Sequence, residues 1–400
     1  VKIAIDIRRM TEFGVGTYTR NIVRALGRLD QINEDHANDF FLIGSPEKVA
    51  EIGSLPANFK TIPMTESDDT LKGYLEFRAV LKHLQCDLVH IPHLFWLPRN
   101  LPCPYVMTVH DLLEHMAQTH GLSNLKRSAH FYSTRWVLQG AARILAVSNF
   151  TKNELHKMFE IPAGSIAVVH NAIDGRFLHG HATDADRQFL AERYQITYPF
   201  LLYAGSISPH KNLVRIIETF SALKAELEKE DKYPDLKLII IGDELSKHPD
   251  LRRTVIRGGV QNDVRFLGFV PIDVLRIFYD VAKVFVFPSL YEGFGLPPLE
   301  AMAHGTPVLT SNTSSIPEVV DDAAVLVNPE NIFEMMRALR LVLLDSALRE
   351  RLKQKGYEQV KKFSWDDSAS KTLRIYEEVA GKRKKPANEH SPGPIKAALL

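Results

Sequence analysis

The chain has 400 residues, 45% hydrophobic and 24% charged, with a net charge of +1. That length points to two domains of ordinary size, and the near-neutral charge gives no reason to expect a nucleic-acid partner. Cys86 and Cys103 sit outside any metal-ligand or redox spacing, and no apolar run reaches the ~18–20 residues that span a bilayer, so the expectation is a chain of a reducing, cytoplasmic compartment.

The sequence runs straight into an apolar strand, KIAID (2–6), with no leader visible. Further buried strands are expected at FFLIG (40–44), DLVHI (87–91), YVMTVHD (105–111), RILAVS (143–148) and SIAVVHNAID (165–174). Helical periodicity fills Thr17–Leu29, Leu71–Leu84 and Asn124–Ala142 between them. A polar, turn-rich stretch (174–199) interrupts this series and reads as a hinge around 174–198. A second series follows at FLLYAG (200–205), KLIIIG (237–242), VRFLGFV (264–270), KVFVFPS (283–289), PVLTS (307–311) and AVLVN (324–328). Strands apolar on both faces, alternating with helices, predict parallel sheets covered by helices. The fold class is α/β: two Rossmann-like, doubly wound parallel-sheet domains, residues 1–175 and 176–362, facing across a cleft. Residues 363–381 read as a terminal helix packing back on the first domain, and 382–400 as a flexible basic tail.

Open parallel sheets bind ligands beyond the carboxyl ends of their strands, so chemistry is sought there. Gly14 and Gly16 follow the first strand and precede a helix, where backbone N–H groups can approach a phosphate. The full G-x-G-x-x-G pattern fails at Thr19, and a plain tight turn accounts for the glycines equally. His110 and Asp111 stand at a strand end, either as sugar-contacting groups or as a packed histidine beside a helix N-cap. His90 and His93 read as satisfied structural histidines, because no spacing supplies a third zinc ligand. Lys211, in YAGSISPHKN, lies at a strand-to-helix crossing where an ammonium can neutralise a diphosphate or simply be solvated. Gly268 follows another strand end, where backbone can meet a base, although buried aromatics in a turn explain it as well.

The most informative segment is YEGFGLPPLEAMAHG, from Tyr291 to Gly305. Glu292 and Glu300 bracket a glycine loop that enters a helix, with proline suited to the first turn. Helix N-termini favour anions, so an acid pair there fits a ligand that has both phosphates and hydroxyls, such as a nucleotide-sugar. DAD (184–186) matches a D-x-D metal motif but lies in the polar stretch and reads as a solvated loop.

On these motifs the chain resembles a family-four retaining glycosyltransferase of GT-B fold, over most of residues 1–380. The E-x7-E motif from Glu292 to Glu300 carries the resemblance; the glycine loop, His110–Asp111 and the Lys211 loop follow in the expected order. IDIRR and GVGTY are similar to bacterial mannosyltransferases. The resemblance implies catalytic roles for His110, Lys211 and Glu292. It implies donor contacts at Gly14, Gly16, Gly205, Ser206, Gly268, Phe269, Val270, Gly293, Phe294, Gly295, Leu296 and Glu300. Glu292 would meet donor-sugar hydroxyls, Glu300 the ribose and Lys211 the diphosphate. Many relatives carry Arg where this chain has Ser206, and His210 or Arg215 are the candidates to replace that charge.

The implied activity is hexose transfer, mannose from GDP-mannose before glucose from UDP-glucose, to a glycan or lipid-linked acceptor, by a front-face route. No cofactor and no metal are expected. A nucleotide-sugar epimerase of the same fold and a non-catalytic nucleotide-sugar-binding protein are the alternatives. Lys126, Arg127, Arg135 and Arg143 among aromatics (123–145) raise peripheral contact with the inner membrane face, against an ordinary core-packing helix.

Overall fold

The computed structural model describes residues 1–10, 14–32, 38–64, 66–68, 70–94, 100–113, 124–178, 180–243 and 245–384. Most of the basic tail lies outside these residues.

The first domain holds seven parallel strands: β1 (Lys2–Asp6), β2 (Asp39–Gly44), β3 (Phe59–Pro63), β4 (Leu88–Ile91), β5 (Tyr105–Val109), β6 (Arg143–Ala146) and β7 (Ile166–Val168). Their order across the sheet is β3-β2-β1-β4-β5-β6-β7. The second domain holds six: β8 (Phe200–Ala204), β9 (Lys237–Ile241), β10 (Val264–Gly268), β11 (Val284–Phe287), β12 (Val308–Ser311) and β13 (Val325–Val327), all parallel and ordered β10-β9-β8-β11-β12-β13. Central strands such as FLLYA and VFVF are buried along their whole length, because helices cover both faces. In each sheet the chain leaves two adjacent strands toward opposite edges. These switch points fall between β1 and β4 and between β8 and β11, and they open a crevice at the strand ends.

Several elements differ from the sequence reading: the strand expected over 165–174 spans only Ile166–Val168, and two others differ in kind. β3, FKTIP, is an edge strand of half-buried and exposed residues, so its apolar content does not announce it. The stretch read as polar hinge contains a helix, Asp184–Tyr194. Thr183 and Asp186 form a reciprocal capping box at its start, so DAD is a helical first turn and not a loop. Asp186 Oδ2 accepts from the Thr183 N–H at 2.8 Å and from its hydroxyl at 2.7 Å.

The last helix, Trp365–Lys384, leaves the second domain and lies against helix Val15–Ile32 of the first. Trp365, Ala369, Tyr376 and Val379 join the apolar cluster of Ile3, Ile5, Ile22 and Leu26. Trp365 Nε1 donates to the Ile173 carbonyl at 3.0 Å, and the Tyr376 hydroxyl and His90 Nδ1 share a hydrogen bond of 2.6 Å. On the basic helix Asn124–Gly140, Arg135 pairs with Glu160 at 2.5 Å. Arg143, just beyond it, lies 3.5 Å from Glu378. Tyr132 and Trp136 are exposed on that helix, and no described helix is long and apolar enough to cross a membrane. Burial of the Trp365 indole, with its N–H bonded to Ile173, predicts that Trp365→Ala costs about 3–5 kcal/mol, read as a lower urea midpoint.

Candidate active site

β8 and β11 are neighbours at the second switch point, so the loops that follow them converge. Lys211 closes a single 3-10 turn, Pro209–Lys211, after β8. Its ammonium lies 2.6 Å from Glu292 Oε1, in the loop after β11, and 5.2 Å from the centre of the Phe287 ring. Both partners are largely buried. Asn212 fixes the turn: it takes a left-handed φ of 67° and its amide donates to the Pro288 and Pro329 carbonyls at 3.0 and 2.7 Å. Arg215 donates to Asn212 Oδ1 and lies 3.7 Å from Glu330, so its charge is engaged away from Lys211. His210 is half-buried, and burial together with Lys211 lowers its pKa. Ser206 is exposed, its carbonyl accepting from the Tyr203 hydroxyl, and Gly205 follows the end of β8.

The loop Glu292–Gly295 is held by its carbonyls. Ser315 Oγ donates to those of Glu292 and Phe294 at 2.9 and 2.8 Å; Ser148 and Thr151 of the first domain donate to that of Gly293 at 2.7 and 3.2 Å. In a trans peptide the N–H points opposite to the preceding C=O. The N–H groups of Gly293, Phe294 and Gly295 therefore turn away from these hydroxyls, ahead of helix Leu296–Ala303. These backbone donors lie just ahead of a helix N-terminus, where anionic oxygen is favoured. The Phe294 side chain is buried against Phe363, and Leu296 is the first helical residue.

The two domains touch at Gly293. A Cβ there would stand 1.8 Å from the His110 carbonyl oxygen and 2.9 Å from Asp111 Cβ. His110 Nε2 lies 2.9 Å from the Pro92 carbonyl, which only accepts, so Nε2 carries the proton. Burial lowers the His110 pKa to about 4, against the opposing pull of that carbonyl and Asp111. At neutral pH the ring is uncharged and Nδ1 is an acceptor. Tyr18 packs edge-on against it, with ring centroids 4.9 Å apart. Asp111 Oδ1 accepts from the Leu113 N–H.

Gly14 and Gly16 open the helix that carries Tyr18; a Cβ on Gly16 would stand 2.0 Å from the Met10 carbonyl oxygen, so only glycine fits at that close approach. His90 is a core residue bonded to Thr108 and Tyr376, and His93 Nε2 meets Asp68 at 2.7 Å; both are buried structural groups.

Glu300 sits in the second turn of helix Leu296–Ala303, where the Tyr279 hydroxyl donates to its Oε2 at 2.9 Å. Burial pushes its pKa up to about 7, with the Tyr279 hydrogen bond opposing. Gly268 ends β10 beside open space, and Phe269 is exposed. Val270 is buried with its side chain in the core, leaving only its backbone to face a ligand. Several residues of the site had no signal in the sequence. Ser148 and Thr151, the cap and first turn of helix Asn149–Phe159, and Ser315, the cap of helix Ile316–Val320, pin the loop from two separate elements; Tyr279 holds Glu300, and Glu318 accepts the N–H groups of Asn149 and Phe150 across the domain contact.

Solved structures share this architecture. Sucrose-phosphate synthase from Thermosynechococcus elongatus superposes with a TM-score of 0.73 at 18% identity, over 95% of this chain and 99% of that one. HepE of Anabaena, a structure containing UDP-glucose, gives 0.70 at 16% identity over 96% and 99%. The fold, with loops meeting at two facing switch points, is that of the GT-B glycosyltransferases. Residues 14–176 match the profile "Glycosyltransferase Family 4" and residues 186–359 "Glycosyl transferases group 1". O-antigen chain mannosyltransferase B of Escherichia coli is 30% identical over 373 residues, 91% of this chain and 95% of that one. The serotype-specific mannosyltransferase WbdA of Escherichia coli is 30% identical over 275 residues, 68% of this chain but 33% of that longer protein. The chain belongs to glycosyltransferase family 4.

Because Glu300 has a higher pKa folded than unfolded, the folded state keeps its proton longer. Its contribution to stability is full below pH ~4.5 and is lost as pH rises to about 7. Without ligand, the stability difference between wild type and Glu300→Gln should therefore fall across that window, as measured by urea titrations at stepped pH.

Proposed function

We propose that this glycosyltransferase is a retaining mannosyltransferase that moves mannose from GDP-mannose to a glycan or lipid-linked acceptor, with no metal or cofactor at the donor site. The observation that carries the donor reading is the largely buried Lys211–Glu292 pair at 2.6 Å, next to the glycine loop that opens helix Leu296–Ala303. The choice of mannose is supported by the 30% identical mannosyltransferase B. Glucose from UDP-glucose is the second reading, supported by the UDP-glucose in the HepE structure.

Cleaving the anomeric C–O bond leaves its electron pair on the diphosphate. Lys211 and the N–H groups of Gly293, Phe294 and Gly295 are arranged to stabilise that charge, and groups that act on the transition state more than on the substrate accelerate the step. Gly16 would hold phosphate from the other side of the cleft. A donor entering the pair lets Glu292 accept sugar hydroxyls while Lys211 turns to phosphate. His110, neutral with Nδ1 open, suits a hydroxyl donor near the reacting carbon. Glu300 accepts ribose hydroxyls, with the backbone at Gly268–Val270 and the Phe269 ring flanking the base.

For the transfer we assign front-face substitution, in which the leaving phosphate oxygen takes the acceptor proton and configuration is kept.

Purified chain supplied with GDP-mannose and a mannan-type acceptor should form the α-linked product by NMR, without added Mg2+ or Mn2+. In this assay Lys211→Ala should lower turnover at least ~100-fold, since one such donor contributes ~3–4 kcal/mol. An inverted product, a strict need for added metal, or near-normal turnover of the variant overturns the corresponding part. Donor conversion without acceptor indicates an epimerase, and binding without conversion indicates an idle binding protein.

Peripheral contact with the inner membrane face is a separate part of the proposal, supported by exposed Tyr132 and Trp136 on a basic helix. The chain should then float with anionic liposomes and stay behind with neutral ones; no flotation removes this part.

A further inference from the structure

Outside the donor site, three metal-ligating side chains from distant parts of the chain converge. His181 lies in the connector between the domains, Asp280 in the last turn of helix Ile272–Val281, and His304 caps helix Leu296–Ala303. His181 Nδ1 is 3.0 Å from Asp280 Oδ1, and His304 Nδ1 is 3.1 Å from the same oxygen. One donor atom from each residue fits within 4.8 Å of the others.

Hydrogen bonding explains part of this cluster. Asp280 Oδ1 receives His181, and Asp280 Oδ2 receives the Ala182 N–H at 2.8 Å. It does not fully explain His304, whose side chain is 1% exposed: Asp280 approaches Nδ1, but among the described residues neither ring nitrogen has a well-formed hydrogen bond and Nε2 meets no polar partner. A buried imidazole with that bonding capacity unused leaves room for a further partner. The ring is also fixed, stacked on Tyr279 with centroids 5.9 Å apart and set edge-on to Phe177.

We propose that His181, Asp280 and His304 bind one divalent transition-metal ion of the zinc class, with water completing the shell, and that the ion fastens the interdomain connector to the second domain. Two imidazoles and one carboxylate are the donor set of borderline ions and not of Mg2+ or Ca2+. Zinc bonds of 2.0–2.1 Å imply tetrahedral edges of about 3.3 Å, close to the two observed Asp–His separations. Asp280 and His304 both stand at helix C-termini, where the peptide dipoles favour a cation. The exposed side of His181 gives an ion and its water a way in. The site also bears on Glu300: His304 follows it by one helical turn, and Tyr279, which holds Glu300, precedes Asp280. The inference does not depend on which sugar the enzyme transfers.

The test uses the full chain, stripped with EDTA, dialysed and titrated with zinc alone by calorimetry, with thermal melts run in parallel. One zinc should bind per chain and raise the melting temperature, and an equal concentration of Mg2+ should not. His181→Ala removes an exposed ligand, leaves the core intact and should weaken zinc at least ~10-fold. Asp280→Asn should do the same. Absence of saturable binding, or a loss under ~10-fold in folded His181→Ala, overturns the proposal.

Discussion

Everything at the cleft depends on a contact made without a side chain. Gly293 brings the backbone of the second domain against the His110 carbonyl of the first, where a single methyl group would collide. Ser148 and Thr151 reach across and fasten the Gly293 carbonyl. That bond fixes the loop's N–H groups, the loop positions Glu292, and Glu292 holds Lys211. The apposition of the domains and the geometry of the glycine loop are thus one constraint: separating the domains releases the loop as well.

The resting Lys211–Glu292 pair has a second consequence. Two opposite charges, largely buried, satisfy each other before any ligand arrives, and burying either alone would be strongly unfavourable. A ligand that replaces only one partner leaves the other unpaired. On the proposed donor reading, a ligand with anionic oxygen and hydroxyls in one molecule would replace both, and the pair would discriminate against free phosphate and free sugar alike.

Much of the fold was legible because the central strands, such as FLLYA and VFVF, are apolar on both faces. β3 was not, since an edge strand ending in proline has little to bury, and helix Asp184–Tyr194 was hidden by its polar surface despite a full capping box. At the site, Lys211, Glu292, Glu300 and His110 could be singled out because open sheets place ligands at strand ends. Side-chain direction could not be read: Val270 turns into the core, Arg215 turns to Glu330, and the serines that pin the loop come from separate elements. The cluster of His181, Asp280 and His304 has no local spacing at all, because only the packing of two helix ends against the connector brings it together.

The return of helix Trp365–Lys384 to the first domain reverses the usual order of assembly. The faces of Ile22 and Leu26 are closed by Tyr376 and Val379, and the Ile173 carbonyl waits for Trp365. While the chain is being made, the first domain to leave the ribosome holds an open apolar groove until the second has been synthesised in full. Backbone then crosses between the domains twice, once outward and once back, so the two domains are joined by a pair of connections and not by a single tether.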